Sequence, residues 1–227
     1  MKLYLTAIVL GAATLLAQTS PEVEITAEPH HHLALQNAYI RVFQVVIPPG
    51  EATLMHRHHH DYVHVTLCAC QLSREIPGKP PEAVTRKSGE TGFSEGNFAH
   101  VVRNVGSIPF HAVDIEFLQD GKEPKSPAAR RDEDRGLNVL QGGTQDILFV
   151  KDGVRVSDIE LQPHGMVPKQ PGSGPRLIVA VSDVSLSGDG KQADIQLKPG
   201  EIKWLAGGSA LMNKGPAQGK FVMLEFH

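Results

Sequence analysis

GEATLMHRHHHDYVHVTL, residues Gly50 to Leu67, holds five of the chain's twelve histidines, all between His56 and His64. His56 and His58 are one residue apart and run into a segment rich in β-branched and aromatic side chains. In an extended chain, residues i and i+2 leave the same face, so both imidazoles point one way. Two imidazoles held like this begin a transition-metal site, and the remaining donors must come from elsewhere.

Working upstream, Tyr39–Ile47 (YIRVFQVVI) reads as a strand between a turn at Asn37-Ala38 and a stop at Pro48-Pro49-Gly50. Both of its faces are largely apolar, as expected of a strand lying between two layers. Downstream, the pattern predicts strands over Thr53–Arg57, Asp61–Leu72, Glu82–Lys87, His100–Val105 and Phe110–Leu118. The 22 glycines and 16 prolines supply the turns of an all-β chain. Residues 120–136 form a charged, proline-bearing stretch with few apolar residues, which reads as a linker.

The second half repeats the first. NAYIRVFQVVIPPG at Asn37–Gly50 aligns with DGVRVSDIELQPHG at Asp152–Gly165, an offset of 115. NVGSIPFHAVDIEF at Asn104–Phe117 aligns with NKGPAQGKFVMLEF at Asn213–Phe226, an offset of 109. A match at both ends implies duplication of an all-β unit of roughly 90 residues. The expected organisation is a signal peptide over residues 1–17, a first unit over 21–119, the linker, and a second unit over 137–227. The second unit's strands are expected at Leu177–Val181, Ala193–Leu197, Ile202–Leu205 and Lys220–Phe226.

The signal peptide is read from Lys2, the apolar run Leu3–Leu16 and the small residue Ala17. It implies a periplasmic or secreted protein. No later stretch is long and apolar enough to span a membrane as a helix. The net charge of -3, with no dense basic run, argues against a nucleic-acid partner. The two cysteines, Cys68 and Cys70, are read as small apolar packers, with a ligand or redox role as the alternative. Same-face neighbours on one straight strand stand roughly 6.5–7 Å apart with parallel side chains, a poor disulfide geometry.

His100 lies about forty residues beyond the His pair, at the start of a strand, where a β-barrel could return it to His56 and His58. Asp61 is the nearest carboxylate. Three neutral imidazoles with or without a carboxylate suit one divalent transition metal: Mn, Fe, Ni, Cu or Zn. His60 and His64 are rivals to Asp61 as a fourth ligand and, with it, general-base candidates. His64 is opposite to Asp61 in strand parity, so the two should not share a cavity. His59, His60 and His64 otherwise read as rim or outer-face residues. Arg57 and Arg103 could hold an acidic substrate or form outward salt bridges. His30–His32 is a metal-attracting tail, a loop or a cover for the cavity.

These residues resemble the cupin superfamily, specifically a protein of two tandem cupin-like jelly-roll β-barrels. The family's first motif is a glycine, five residues, H-x-H and a glutamate three or four residues later. Gly50, His56 and His58 match it, whereas Tyr62 and Val63 stand where the glutamate is expected, leaving Asp61 as the substitute. The second motif ends in histidine, three residues and asparagine, which His100 and Asn104 match, with Gly96 one place out of register. The resemblance implies His56, His58 and His100 as metal ligands. At the repeat offsets, Pro171 and Ser173 replace the His pair and Ser209 replaces His100, so the second barrel is expected to be metal-free.

Three functions fit this reading. One is a metalloenzyme, a dioxygenase or an isomerase/lyase, acting on a small chelating substrate. The others are a non-catalytic binding or sensor module and a structural barrel. A small-molecule ligand is common to the first two, and a homodimer is left open.

Overall fold

The computed structural model describes residues 21–118, 135–151, 153–169, 174–188, 194–205, 207 and 209–226. The expected signal segment, most of the expected linker, and Pro171 and Ser173 lie outside these residues. Apart from one short 3-10 turn, η1 (Ile25–Ala27), every described element is a strand. The first half supplies β1 (Val23–Glu24), β2 (His31–Gln36), β3 (Ile40–Ile47), β4 (His56–His58), β5 (Tyr62–Thr66), β6 (Cys70–Glu75), β7 (Glu82–Arg86), β8 (Thr91–Ser94), β9 (Phe98–Asn104) and β10 (Phe110–Phe117). They form two five-stranded sheets, β1-β4-β9-β6-β7 and β2-β3-β10-β5-β8.

The second half supplies β11 (Gly136–Lys151), β12 (Val154–Val167), β13 (Arg176–Ala180), β14 (Val184–Ser187), β15 (Ile195–Leu197), β16 (Ile202–Leu205), β17 (Leu211–Asn213) and β18 (Gly219–Phe226). Its sheet runs β15-β14-β17-β12-β18-β13-β16, with β11 paired to β12. The architecture is all-β, with two jelly-roll barrels of the cupin type. Gly136, the last residue of the expected linker, already opens β11.

Alternation along three strands explains how the barrels meet. Phe43, Val45 and Ile47 of β3 fill the interior of the first barrel. Ile40 and Val42 of the same strand, with Val63 and Val65 of β5 and Val113 and Ile115 of β10, face the other way. There they pack on Val154 and Val156 of β12, Leu177 and Val179 of β13, and Val222 and Leu224 of β18. The apolar residues on both faces of β3 thus serve two different cores. Burying this second face removes from water a surface that one small barrel would leave exposed.

The duplication is visible in matching hydrogen bonds. The Asn104 amide donates to Ile47 O at 2.9 Å and Ile108 O at 2.8 Å, and its Oδ1 accepts from Gly106 N. Asn213 makes the same three bonds, to Leu161 O, to Ala217 O and from Gly215 N. The asparagine that ends the second motif is therefore a turn clamp. Ile47 and Leu161 are equivalent at an offset of 114, one less than the alignment of the glycines suggests. The extra residue falls between Leu161 and Gly165, inside the longer β12.

Three sequence expectations are corrected here. Asp61–Leu72 is not one strand: β5 and β6 lie in different sheets, separated by a break at residues 67–69. That break also overturns the reading of the cysteines as free packers. It brings the Cα atoms of Cys68 and Cys70 to 5.6 Å, inside disulfide range, and the two form a disulfide. Thr53–Arg57 is likewise mostly loop, with regular pairing confined to His56–His58.

Candidate metal centre

β4 and β9 pair antiparallel, with His56 directly opposite His100. His58 sits two residues along β4 and shares the inward face, so all three imidazoles are buried. The Nε2 atoms of His56 and His100 are 3.0 Å apart. Two nitrogens each about 2.1 Å from one ion lie roughly 3 Å apart when they subtend a right angle. His58 adds a buried Nε2 with no hydrogen-bond partner among the described residues. A buried nitrogen left unpaired costs about 1–3 kcal/mol, a penalty that a bound cation would relieve.

Two of the other ring nitrogens have a partner behind them, while His100 Nδ1 has none among the described residues. His56 Nδ1 donates to Leu54 O at 2.9 Å, which presents Nε2 as the lone-pair nitrogen. His58 Nδ1 lies 3.3 Å from Glu116 Oε1, while the other oxygen of Glu116 accepts from Arg41 at 2.6 Å. Burial pushes His56 down to about 4, helped by the positive charge on His31. Burial also holds His100 well below the usual histidine range, with His56 next in effect. The His56 and His100 imidazoles are therefore neutral near pH 7, the form that binds metal without first losing a proton.

His31 is the ligand candidate that spacing alone left unassigned. Its β2 strand pairs with β3, and it joins His56 and His58 in a group whose ligand atoms lie within 4.8 Å of one another. Its ring centroid is 4.6 Å from that of His56. Behind it, Nδ1 meets Glu28 at 2.5 Å, and its Nε2 is 3.8 Å from Asp114 Oδ2. Burial opposes the charged form, but hydrogen bonds to Asp114 and Glu28 outweigh it and raise His31 to about 9. The one available signal was that the middle histidine of His30–His32 stands where an alternating strand would point inward.

Asp61 does not converge on this group. Its Oδ1 accepts from Gly96 N at 2.8 Å, and its Oδ2 pairs with Lys151 from the second half. Tyr62, at the position expected for glutamate, stacks on His58 with ring centroids 4.0 Å apart. The nearby carboxylates come instead from β10 and the N-terminal segment: Asp114, Glu116 and Glu28. His64 follows Tyr62 by two residues and shares its inward face, so it lines the cavity. His59 points to the surface, against Glu24, and Arg57 pairs with Glu22. Arg103 is exposed and donates to Gly50 O, so neither expected arginine faces the site.

The cavity beside the histidines has a volume of about 70 Å³. Its lining includes His31, His56, His64, His100, Thr66, Arg74 and Arg86. The Cβ-free backbone of Gly92 admits the His64 ring, since a Cβ there would lie 2.4 Å from two ring atoms. The second barrel has no such constellation among its described residues. Where His64 faces Asp114 across β5 and β10, Ile178 faces Met223 across β13 and β18. Its interior is an apolar core.

No family model matches the sequence, and no curated protein matches it. Solved structures do match it. Salicylate 1,2-dioxygenase from Pseudaminobacter salicylatoxidans superposes with a TM-score of 0.62 at 12% identity, covering 86% of this chain and 76% of the other. AerE from Microcystis aeruginosa gives 0.60 at 12% identity, over 88% and 98% of the two chains. A cupin 2 conserved barrel domain protein from Leptotrichia buccalis gives 0.57 at 10% identity, over 87% and 88%. At these identities the likeness is one of fold. With the histidine cluster confined to one half, it shows this chain to be a two-barrel protein of the cupin fold.

Proposed function

We propose that the first barrel holds one divalent transition metal through His56, His58 and His100, with His31 beside them, and that the protein is a metalloenzyme for a small molecule. The observation that carries this reading is the 3.0 Å approach of two buried imidazole Nε2 atoms, one of them fixed by a carbonyl behind it. A metal bound there would polarise a chelating substrate or, if iron, activate dioxygen. The chain's own residues keep the site dry and ordered. Tyr62 and Phe98 pack against His58, and Glu116 and Leu54 O fix ring orientation. Asp114, which faces His31, and His64 both line the cavity and are placed to hold or move a proton on a bound molecule.

The dioxygenase with this fold, one of whose structures is a complex with gentisate, supports a small organic substrate. Export belongs to the same proposal: the Lys2 and Leu3–Leu16 pattern is supported by the Cys68–Cys70 disulfide, which an oxidising compartment would preserve. Titrating metal-free protein with Co²⁺ tests the site, because cobalt bound by imidazoles gives visible absorption. One equivalent should saturate the spectrum, and the His56→Ala/His100→Ala double variant should show none. An unchanged spectrum in the double variant would place any metal elsewhere.

A further inference from the structure

Strands β6 and β7 of one sheet, and β5 of the sheet that faces it, carry cationic and hydroxyl groups that the metal centre does not use. Along β6, Cys70, Leu72 and Arg74 share one face, as do Glu82, Val84 and Arg86 along β7. Leu72, Val84, Arg74 and Arg86 all line the cavity. Each arginine has a partner toward the rim: Arg74 Nη2 meets Glu82 at 2.5 Å, and Arg86 Nη1 meets Glu90 at 3.0 Å. Neither pairing exhausts its guanidinium. Arg74 Nε is buried and has no acceptor among the described residues.

The Thr66 hydroxyl is equally buried and unpartnered, on a side chain of 0% exposure that lines the same cavity. The Nε2 of His64 is also buried without a partner. Arg74 lines the same cavity as His64 and His100, so this donor group is not remote from the histidines. An unmet guanidinium N–H and an unmet hydroxyl on one cavity call for an acceptor, and a guanidinium edge fits a carboxylate.

We propose that Arg74, assisted by Thr66 and Arg86, is a subsite for the carboxylate of a small organic acid, whose other end reaches the histidine centre. This deepens the proposed function and rests on it for the metal end alone. A cavity of about 70 Å³ is far below the several hundred Å³ typical of drug-sized ligands, so the acid is a short one. Arg57 and Arg103, the arginines that flank the motifs in sequence, take no part.

Isothermal titration of the purified full chain with pyruvate, its neutral isostere pyruvamide and inorganic phosphate tests this, with metal content measured on the same sample. Pyruvate should bind at least about tenfold more tightly than pyruvamide or phosphate. Arg74→Met and Thr66→Val should each weaken pyruvate, Arg74→Met by about tenfold or more, with metal content and melting temperature retained. Arg74→Lys should recover part of the loss, because it keeps the charge without the fork. Equal binding of pyruvate and pyruvamide, tighter binding of phosphate, no binding of pyruvate, or an unaffected Arg74→Met variant would overturn the subsite. Stoichiometric metal with no pyruvate binding sinks this inference and leaves the metal reading standing. Pyruvate binding through Arg74 in a chain that takes up no metal does the reverse.

Discussion

The Tyr62 ring lies flat on the His58 imidazole, with centroids 4.0 Å apart and planes 11° from parallel. The residue at the place expected for a ligating glutamate is thus a packing residue that fixes a ligand. Tyr62→Ala should cost about 3–5 kcal/mol of stability, as buried aromatic truncations do. It should also weaken metal binding by about 10–100-fold by freeing the His58 ring. Tyr62→Phe keeps the stack and should keep both properties. Thermal denaturation and competition with a chromogenic chelator measure the two effects separately.

Glu116 joins Arg41 to His58, with one carboxylate oxygen toward each. Glu116→Gln preserves shape and removes the charge that favours a metal-bound His58. We expect metal affinity to fall about 10–100-fold, read by the same competition assay. The equivalent Glu225 in the second barrel pairs with Arg155 and Arg176. Glu225→Gln should lower stability and leave metal affinity unchanged.

The Glu28–His31 pair sets a pH window for the metal-free protein. His31, raised from 6.5 to about 9, contributes stability that is complete below pH 6.5 and is lost as pH rises through 9. Glu28 is lowered from 4.5 to about 2: its burial opposes ionisation, but the hydrogen bond from His31 outweighs it. Its contribution is complete above pH 4.5 and is lost as pH falls toward 2. His56 and His100, both held below the usual histidine value, cost stability only below about pH 6.5, so in the presence of chelator the melting temperature should be higher near pH 7 than at pH 9.5. His31→Gln should flatten the alkaline arm of that profile.

Ile115 is fully buried in the core shared by the two barrels and faces away from the histidines. Ile115→Ala should cost about 2–5 kcal/mol in chemical denaturation. Metal bound per folded chain should not change, because the opposite face of β10 carries Asp114 and Glu116.

The fold was legible because apolar residues on both faces of Tyr39–Ile47 announce a strand between two cores, and because the repeat recurs at both ends of the unit. His56, His58 and His100 were legible because strand parity and barrel closure bring them together. Asp61 was misleading: nearness in sequence to the H-x-H pair says nothing about which way the turn after His58 points, and that turn directs it to Gly96 and Lys151. His31, Asp114 and Arg74 reach the cavity from strands whose neighbours are set by topology, which no local pattern encodes. The Cys68–Cys70 bridge depended on a bend between β5 and β6, and the alternation there conceals it.

The central claim is that the first barrel carries one metal on its histidines. Elemental analysis of protein purified without a histidine tag, which the native His-rich segments could otherwise confound, tests it most directly. About one transition-metal ion per chain is expected for the parent protein, falling to near zero in His56→Ala and in His100→Ala while both variants remain folded. A parent protein without metal, or variants that retain it in full, would contradict the account.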